Sequence, residues 1–143
     1  MSKKSKPKTN SAAGAFIGMI IGLTISLALQ LYLIPYLPFV TSNYLQYLPV
    51  GITTAILTSF LEFLGSTTTL DSMKLVFKLA RHAISIFGLY YLIRIFPFDF
   101  GQISMAYLNQ TILFAFYVAV FGITIAILID LVKLLLSLLN PKS

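Results

Sequence analysis

The sequence predicts an all-α integral membrane protein, a compact bundle of four transmembrane helices with both termini on the cytoplasmic side. Hydrophobic residues make up 58% of the 143 residues and charged residues only 10%, whereas a soluble domain carries about 25% charged residues. A chain so poor in charge cannot cover a surface that faces water, and it has too much apolar surface for a disordered protein. Its few charged residues lie mainly in the segments that flank four long apolar runs.

The four spans follow from the apolar runs and from the residues that interrupt them. A disordered, basic cytoplasmic tail at 1–12 precedes the first span at 13–34, which ends before Pro35 and Pro38 because two such closely spaced prolines do not both fit inside a regular helix. Each span is long enough, or nearly so, for a hydrocarbon core of about 30 Å. The other spans are predicted at 45–64, 76–96 and 108–130, in a membrane domain that covers 13–139 and is followed by a short tail at 140–143.

The third span is short unless it is extended by a basic amphipathic segment at 70–82. Lys74, Lys78 and Arg81 recur there at helical spacing, with apolar residues on the other side. The segment is therefore either a short interfacial helix or a basic extension of the third helix. We expect its cations to contact anionic lipid headgroups, or alternatively to dock an acidic soluble partner.

The orientation of the bundle follows from the lysines and arginines. With the amino terminus inside, Arg94 alone of the ten basic residues lies in an outer segment. This asymmetry predicts that both termini are cytoplasmic. We interpret the membrane as a prokaryotic cell membrane, with an organelle membrane as the alternative.

Two helices carry faces of small residues that are typical of close helix packing in lipid. In the first helix they recur every four residues, and in the fourth helix they recur at intervals of three or four. The predicted packing residues are Gly14, Gly18, Gly22 and Ser26 of the first helix and Ala115, Ala119, Gly122 and Ala126 of the fourth. The pattern leaves open whether the partner is another helix of the chain, a second copy or a different protein.

A polar stripe on the second helix is the candidate for an ion or proton path. Thr54, Thr58 and Glu62 lie four residues apart on one face, and Asp130 of the fourth helix is a further candidate. The competing interpretation places both carboxylates at the inner interface, where Glu62 anchors the helix and Asp130 pairs with Lys133 three residues further along the same helix.

The sequence carries no recognisable catalytic or metal-binding pattern. His82 is the only histidine and cysteine is absent, so a metal or haem site lacks the further ligands that it needs. We therefore predict no metal site, no cofactor and no enzymatic activity. The net charge of +6 is explained by the positive-inside pattern rather than by nucleic-acid binding.

These features predict a non-enzymatic multi-pass subunit that packs through small-residue helix faces in a larger homo-oligomeric or hetero-oligomeric membrane complex. Its expected partners are anionic lipids and other membrane subunits or copies of itself. The alternative is a small oligomeric ion channel or transporter that uses the polar stripe of the second helix.

Overall fold

A computed structural model describes residues 11–140 of the chain, and most of these residues are helical. The four long helices are α1 (Ser11–Ala28), α2 (Tyr44–Thr67), α3 (Asp71–Ile95) and α4 (Tyr107–Leu139). By length and composition each can cross a membrane, the first together with the helical turns that continue it to Tyr36. Residues 1–10 of the predicted tail at 1–12, and all but Asn140 of the tail at 140–143, lie outside the described residues.

The first span ends through two irregular helical turns. A π-helical turn at Leu29–Leu33 follows α1, and a 3₁₀ turn at Ile34–Tyr36 follows it. Pro35 has no backbone N–H, so it cannot donate the next α-helical hydrogen bond. The hydrogen-bond pattern changes around it and the chain leaves the helix at Leu37, whose backbone is extended.

The basic segment at 70–82 is part of α3 and not a separate interfacial helix. Only Thr68–Leu70 separate α2 from α3, which then continues without interruption from Asp71 to Ile95. The helix α4 likewise continues past Asp130 to Leu139, because the apolar residues that follow include no proline or glycine before Pro141. Its 33 residues give a length of about 50 Å, well beyond a hydrocarbon core of about 30 Å.

The helices pack mainly against their neighbours in the sequence. The central pair is α2 and α3, α1 packs on α2, and α4 packs on α3. The predicted four-helix bundle is therefore confirmed. Many large apolar side chains, such as Ile17, Phe114 and Phe121, point away from the bundle, as expected where lipid takes the place of water.

The two helix-connecting loops at one end of the bundle are joined by backbone hydrogen bonds. The loop after α1 and the loop after α3 form an isolated antiparallel bridge between Val40 and Phe98. The Thr41 N–H donates to the Pro97 carbonyl at 2.8 Å, and the Asp99 N–H donates to the Phe39 carbonyl at 2.7 Å. We call this end, with its loops at 37–43 and 96–106, the aromatic end.

The opposite end holds the start of α1, the 68–70 connection and the end of α4, and we call it the basic end. Lys74, Lys78 and Arg81 lie there on the first turns of α3, and Lys133 lies near the end of α4. The two ends therefore differ in chemistry as the sequence predicts. Which of them faces the cytoplasm stays a prediction.

Candidate functional site

The four glycines that were predicted to pack have open space beside them in the described part of the chain. At Gly14, Gly18 and Gly22 of α1, no described atom other than those of the adjoining helix backbone and chain neighbours lies within 4 Å of an added Cβ, and the same holds for Gly122 of α4. Ser26 and Ala126 are half-buried, whereas Ala115 and Ala119 are exposed. The glycine face of α1 is therefore open.

Close packing inside the chain depends on two glycines that sequence reasoning missed. Gly51 of α2 is buried, and an added methyl group would collide there with the side-chain amide of Gln30. The Tyr44 hydroxyl donates to the Gln30 carbonyl at 3.0 Å and strengthens this contact with the π-helical turn. Isolated glycines show no repeat in the sequence, so no pattern marked Gly51.

The second such glycine joins α2 to α3. Gly88 is buried, and a Cβ added there would lie 3.1 Å from Cγ2 and 3.2 Å from Oγ1 of Thr54. Thr54 therefore packs against the backbone of α3. This predicted path residue serves helix packing in the structure.

A groove runs between α1 and α2 beside the open glycine face. Its volume is about 450 Å³, and Gly18 and Gly22 form part of the α1 wall. Ser59, Glu62 and Ser66 contribute polar groups from α2. The Glu62 side chain is 71% exposed, so the groove combines a close-approach surface with an accessible carboxylate.

Asp130 is the most deeply buried charged residue that the structure describes. The residue is 2% exposed, and its Oδ1 lies 3.4 Å from Nζ of Lys78 on α3. The predicted pair with Lys133 is wrong, because Asp130 faces α3 whereas Lys133 is exposed. The ion pair thus joins two helices instead of stabilising one.

His82 completes this contact between α3 and α4. Its Nδ1 lies 3.5 Å from Oδ2 of Asp130, and neither atom has a hydrogen-bond partner among the described residues. With a proton on Nδ1, a small rotation of the imidazole would let it donate to the carboxylate. The lone histidine of the sequence therefore has a structural neighbour that linear spacing could not indicate.

Glu62 and Arg81 form a looser ion pair between α2 and α3. Arg81 Nη1 lies 3.7 Å from Glu62 Oε2. Pairs of this kind with an exposed member contribute little to stability, about 1 kcal/mol or less. Since Lys78 and His82 reach α4 while Arg81 reaches α2, the first half of α3 supplies charge to both neighbouring helices.

The four residues of the predicted ion path do not meet at one site within residues 11–140. The Thr58 hydroxyl donates to the Thr54 carbonyl of its own helix at 2.7 Å. Glu62 of α2 faces Arg81 of α3, whereas Asp130 lies on α4, the second helix that packs against α3. Lys78, which lines the cleft beside Glu62 and pairs with Asp130, therefore lies between the α2 stripe and Asp130.

A cleft of about 230 Å³ lies between α2 and α3 at the basic end. Lys74, Lys78 and Arg81 line it from α3, together with Phe77. Leu61, Glu62, Gly65 and Ser66 line it from α2. The three cations that sequence analysis assigned to headgroup or partner docking thus share one cavity.

Within residues 11–140, no group of three or more His, Asp or Glu side chains is placed to hold a metal ion.

The fold and the polar contacts define a multi-pass protein with four candidate membrane spans. No protein family, curated protein or solved structure shows significant similarity to this chain.

Proposed function

We propose that this protein is a non-enzymatic multi-pass membrane subunit that assembles, through the glycine face of α1, with further copies or with another membrane protein. The observation that carries the proposal is the open space at Gly14, Gly18 and Gly22. Tandem glycines let two helix backbones approach closely, and close packing is a main source of helix association in lipid. Residues 11–140 leave this surface unoccupied.

The polar lining of the groove beside the glycine face favours a protein, and not a lipid tail, as the occupant of the groove. Ser59, Glu62 and Ser66 line it with polar groups, and hydrocarbon offers no hydrogen-bond donor to the exposed Glu62 carboxylate. A helix with a polar side chain can pack on the glycines and also satisfy the α2 wall. Glu62 is then a contact residue of the assembly, with Arg81 beside it.

The proposal includes a location. We propose a prokaryotic cell membrane, or alternatively an organelle membrane, with the basic end of the bundle in the cytoplasm. The support is the concentration of lysine and arginine at that end.

The experiment enlarges the glycine face and measures assembly. Gly18→Ile and Gly22→Ile should reduce the fraction of assembled protein severalfold, because the added bulk separates backbones that now approach closely. Assembly is measured in mild detergent as the molar mass of the purified complex and the stoichiometry of copurifying chains. Helix content by circular dichroism should stay unchanged, since an added Cβ meets no described atom.

Ala13→Ile is the matched control. Ala13 is exposed on the same helix, and it lies about 140° around the helix from Gly18. Equal assembly of all three variants and the wild type would mean that the glycine face contacts lipid, and the proposal would be rejected.

A further inference from the structure

We propose that the cleft between α2 and α3 at the basic end binds the phosphodiester group of a monoanionic phospholipid. The inference goes beyond assembly through α1 and uses none of its glycines. It starts from the excess of positive charge among the side chains that line this cleft.

The three cations that line the cleft outnumber by one the carboxylates paired with them; Asp71, one turn before Lys74, is not part of the lining. Lys78 is paired with Asp130, and Arg81 is paired with Glu62. Lys74 is exposed and forms no ion pair with any residue in the 11–140 range. A phosphodiester carries a single negative charge, so one lipid headgroup neutralises the excess.

The arrangement of donors fits a phosphate group. Lys74, Lys78 and Arg81 follow one another at steps of four and three residues, which places them on one face of α3. Arg81 approaches Glu62 through Nη1 alone, at 3.7 Å, so the remaining N–H groups of its planar guanidinium can donate to phosphate oxygens while the pair is kept. Ser66 also lines the cleft, but its hydroxyl already donates to the Phe63 carbonyl at 2.8 Å, so we do not count it among the donors to the phosphate.

The position and walls of the cleft favour a lipid over a free anion. It lies between two helices that are long and apolar enough to cross a membrane. Leu61 and Phe77 provide apolar surface next to the cations, which suits the glycerol and the first methylenes of the acyl chains. Basic pockets between membrane helices on the cytoplasmic side are a recurrent form of anionic lipid site.

The test measures retained lipid by native mass spectrometry of the full chain. The protein is reconstituted in nanodiscs that contain phosphatidylglycerol and phosphatidylcholine in equal amounts and is then released from them. Wild type should retain phosphatidylglycerol in preference to phosphatidylcholine. Lys74→Gln and Arg81→Gln should each weaken this retention about fivefold, the effect expected for one cation near an anionic headgroup.

Lys133→Gln is the matched control, because it removes an exposed lysine at the same end of the bundle but on α4. It should retain phosphatidylglycerol as the wild type does, and so should Gly18→Ile, which separates this test from that of assembly. Circular dichroism verifies that the variants are folded.

Three results would overturn the inference. One is equal retention of the two lipids, and another is a loss in Lys133→Gln as large as in Lys74→Gln. The third is displacement of the lipid by millimolar inorganic phosphate or by a polyglutamate peptide, which would assign the cleft to a free anion or to an acidic soluble partner.

Discussion

The contact between Lys78 and Asp130 leads to an asymmetric prediction, in which removing the lysine destabilises the protein more than removing the aspartate. The Asp130 side chain is 3% exposed and that of Lys78 is 45% exposed. Lys78→Met leaves a buried carboxylate without its cation. Asp130→Asn leaves an ammonium group on a long flexible chain that can turn towards water or headgroups.

The expected magnitudes follow from this difference in exposure. Removing one partner of a buried ion pair costs about 3–5 kcal/mol. We expect the lower end of this range, about 3 kcal/mol, for Lys78→Met, because the lysine is partly exposed and His82 lies 3.5 Å from the carboxylate. For Asp130→Asn, which keeps the side-chain volume and removes the buried charge, we expect about 1 kcal/mol.

The measurement is the free energy of unfolding in mixed micelles of a mild detergent and dodecyl sulfate, followed by circular dichroism. The double variant Lys78→Met/Asp130→Leu provides the control. Since it removes both charges, it should recover most of the stability that Lys78→Met loses. Equal losses in the two single variants, or a larger loss in Asp130→Asn, would show that the pair is not buried as described.

Three further predictions concern packing, the carboxylate of α2 and orientation. Gly88→Val should lower the free energy of unfolding by about 1–3 kcal/mol, because the added Cβ lies 3.1 Å from Thr54 of α2. Gly122→Val is the control and should leave the free energy of unfolding unchanged, because Gly122 has open space beside it. Glu62→Gln should lower the free energy of unfolding by about 1 kcal/mol or less, and it should leave the ion and proton permeability of reconstituted vesicles unchanged. Loss of an ion or proton flux, with folding and assembly intact, would favour a channel or transporter. Cysteines introduced at Asn43 and Ser72 should react with impermeant reagents from opposite sides of the membrane, and labelling from one side would refute the topology.

The four helices could be predicted because membrane spans are determined by composition and length. The apolar runs and the prolines at 35 and 38 were sufficient to locate them, although the residues that follow Asp130 extend α4 further than the predicted span. The continuous helix Asp71–Ile95 was one of two alternatives. Local sequence was compatible with both, because a basic amphipathic helix and the basic start of a longer helix share the same spacing of residues.

The partners of the charged side chains could not be predicted to the same extent. A helix that is hydrophobic on most sides has no strong apolar stripe that determines its rotation in a bundle. Asp130 could therefore face Lys133, lipid or α3, and only the packing of α4 on α3 brings it to Lys78 and His82. Gly51 and Gly88 were missed for the same reason, since their importance lies in what approaches them.

The hydrogen bonds between the two loops at the aromatic end turn the central pair of helices into a closed frame. The helices α2 and α3 are joined covalently through 68–70 at one end and through the Val40–Phe98 bridge at the other. The helices α1 and α4 are both connected to this frame at the aromatic end, through the two bridged loops, and we call them its two arms.

The far ends of the two arms are held differently. The arm α4 is tied by the ion pair of Asp130, whereas α1 meets α2 there through the ring of Phe16 against Phe63, with centroids 5.8 Å apart. Lipid chains replace an apolar contact at little cost, but they cannot replace a buried ion pair. We therefore expect α1 to separate from α2 more readily than α4 separates from α3, and such a separation would widen the groove beside Gly18.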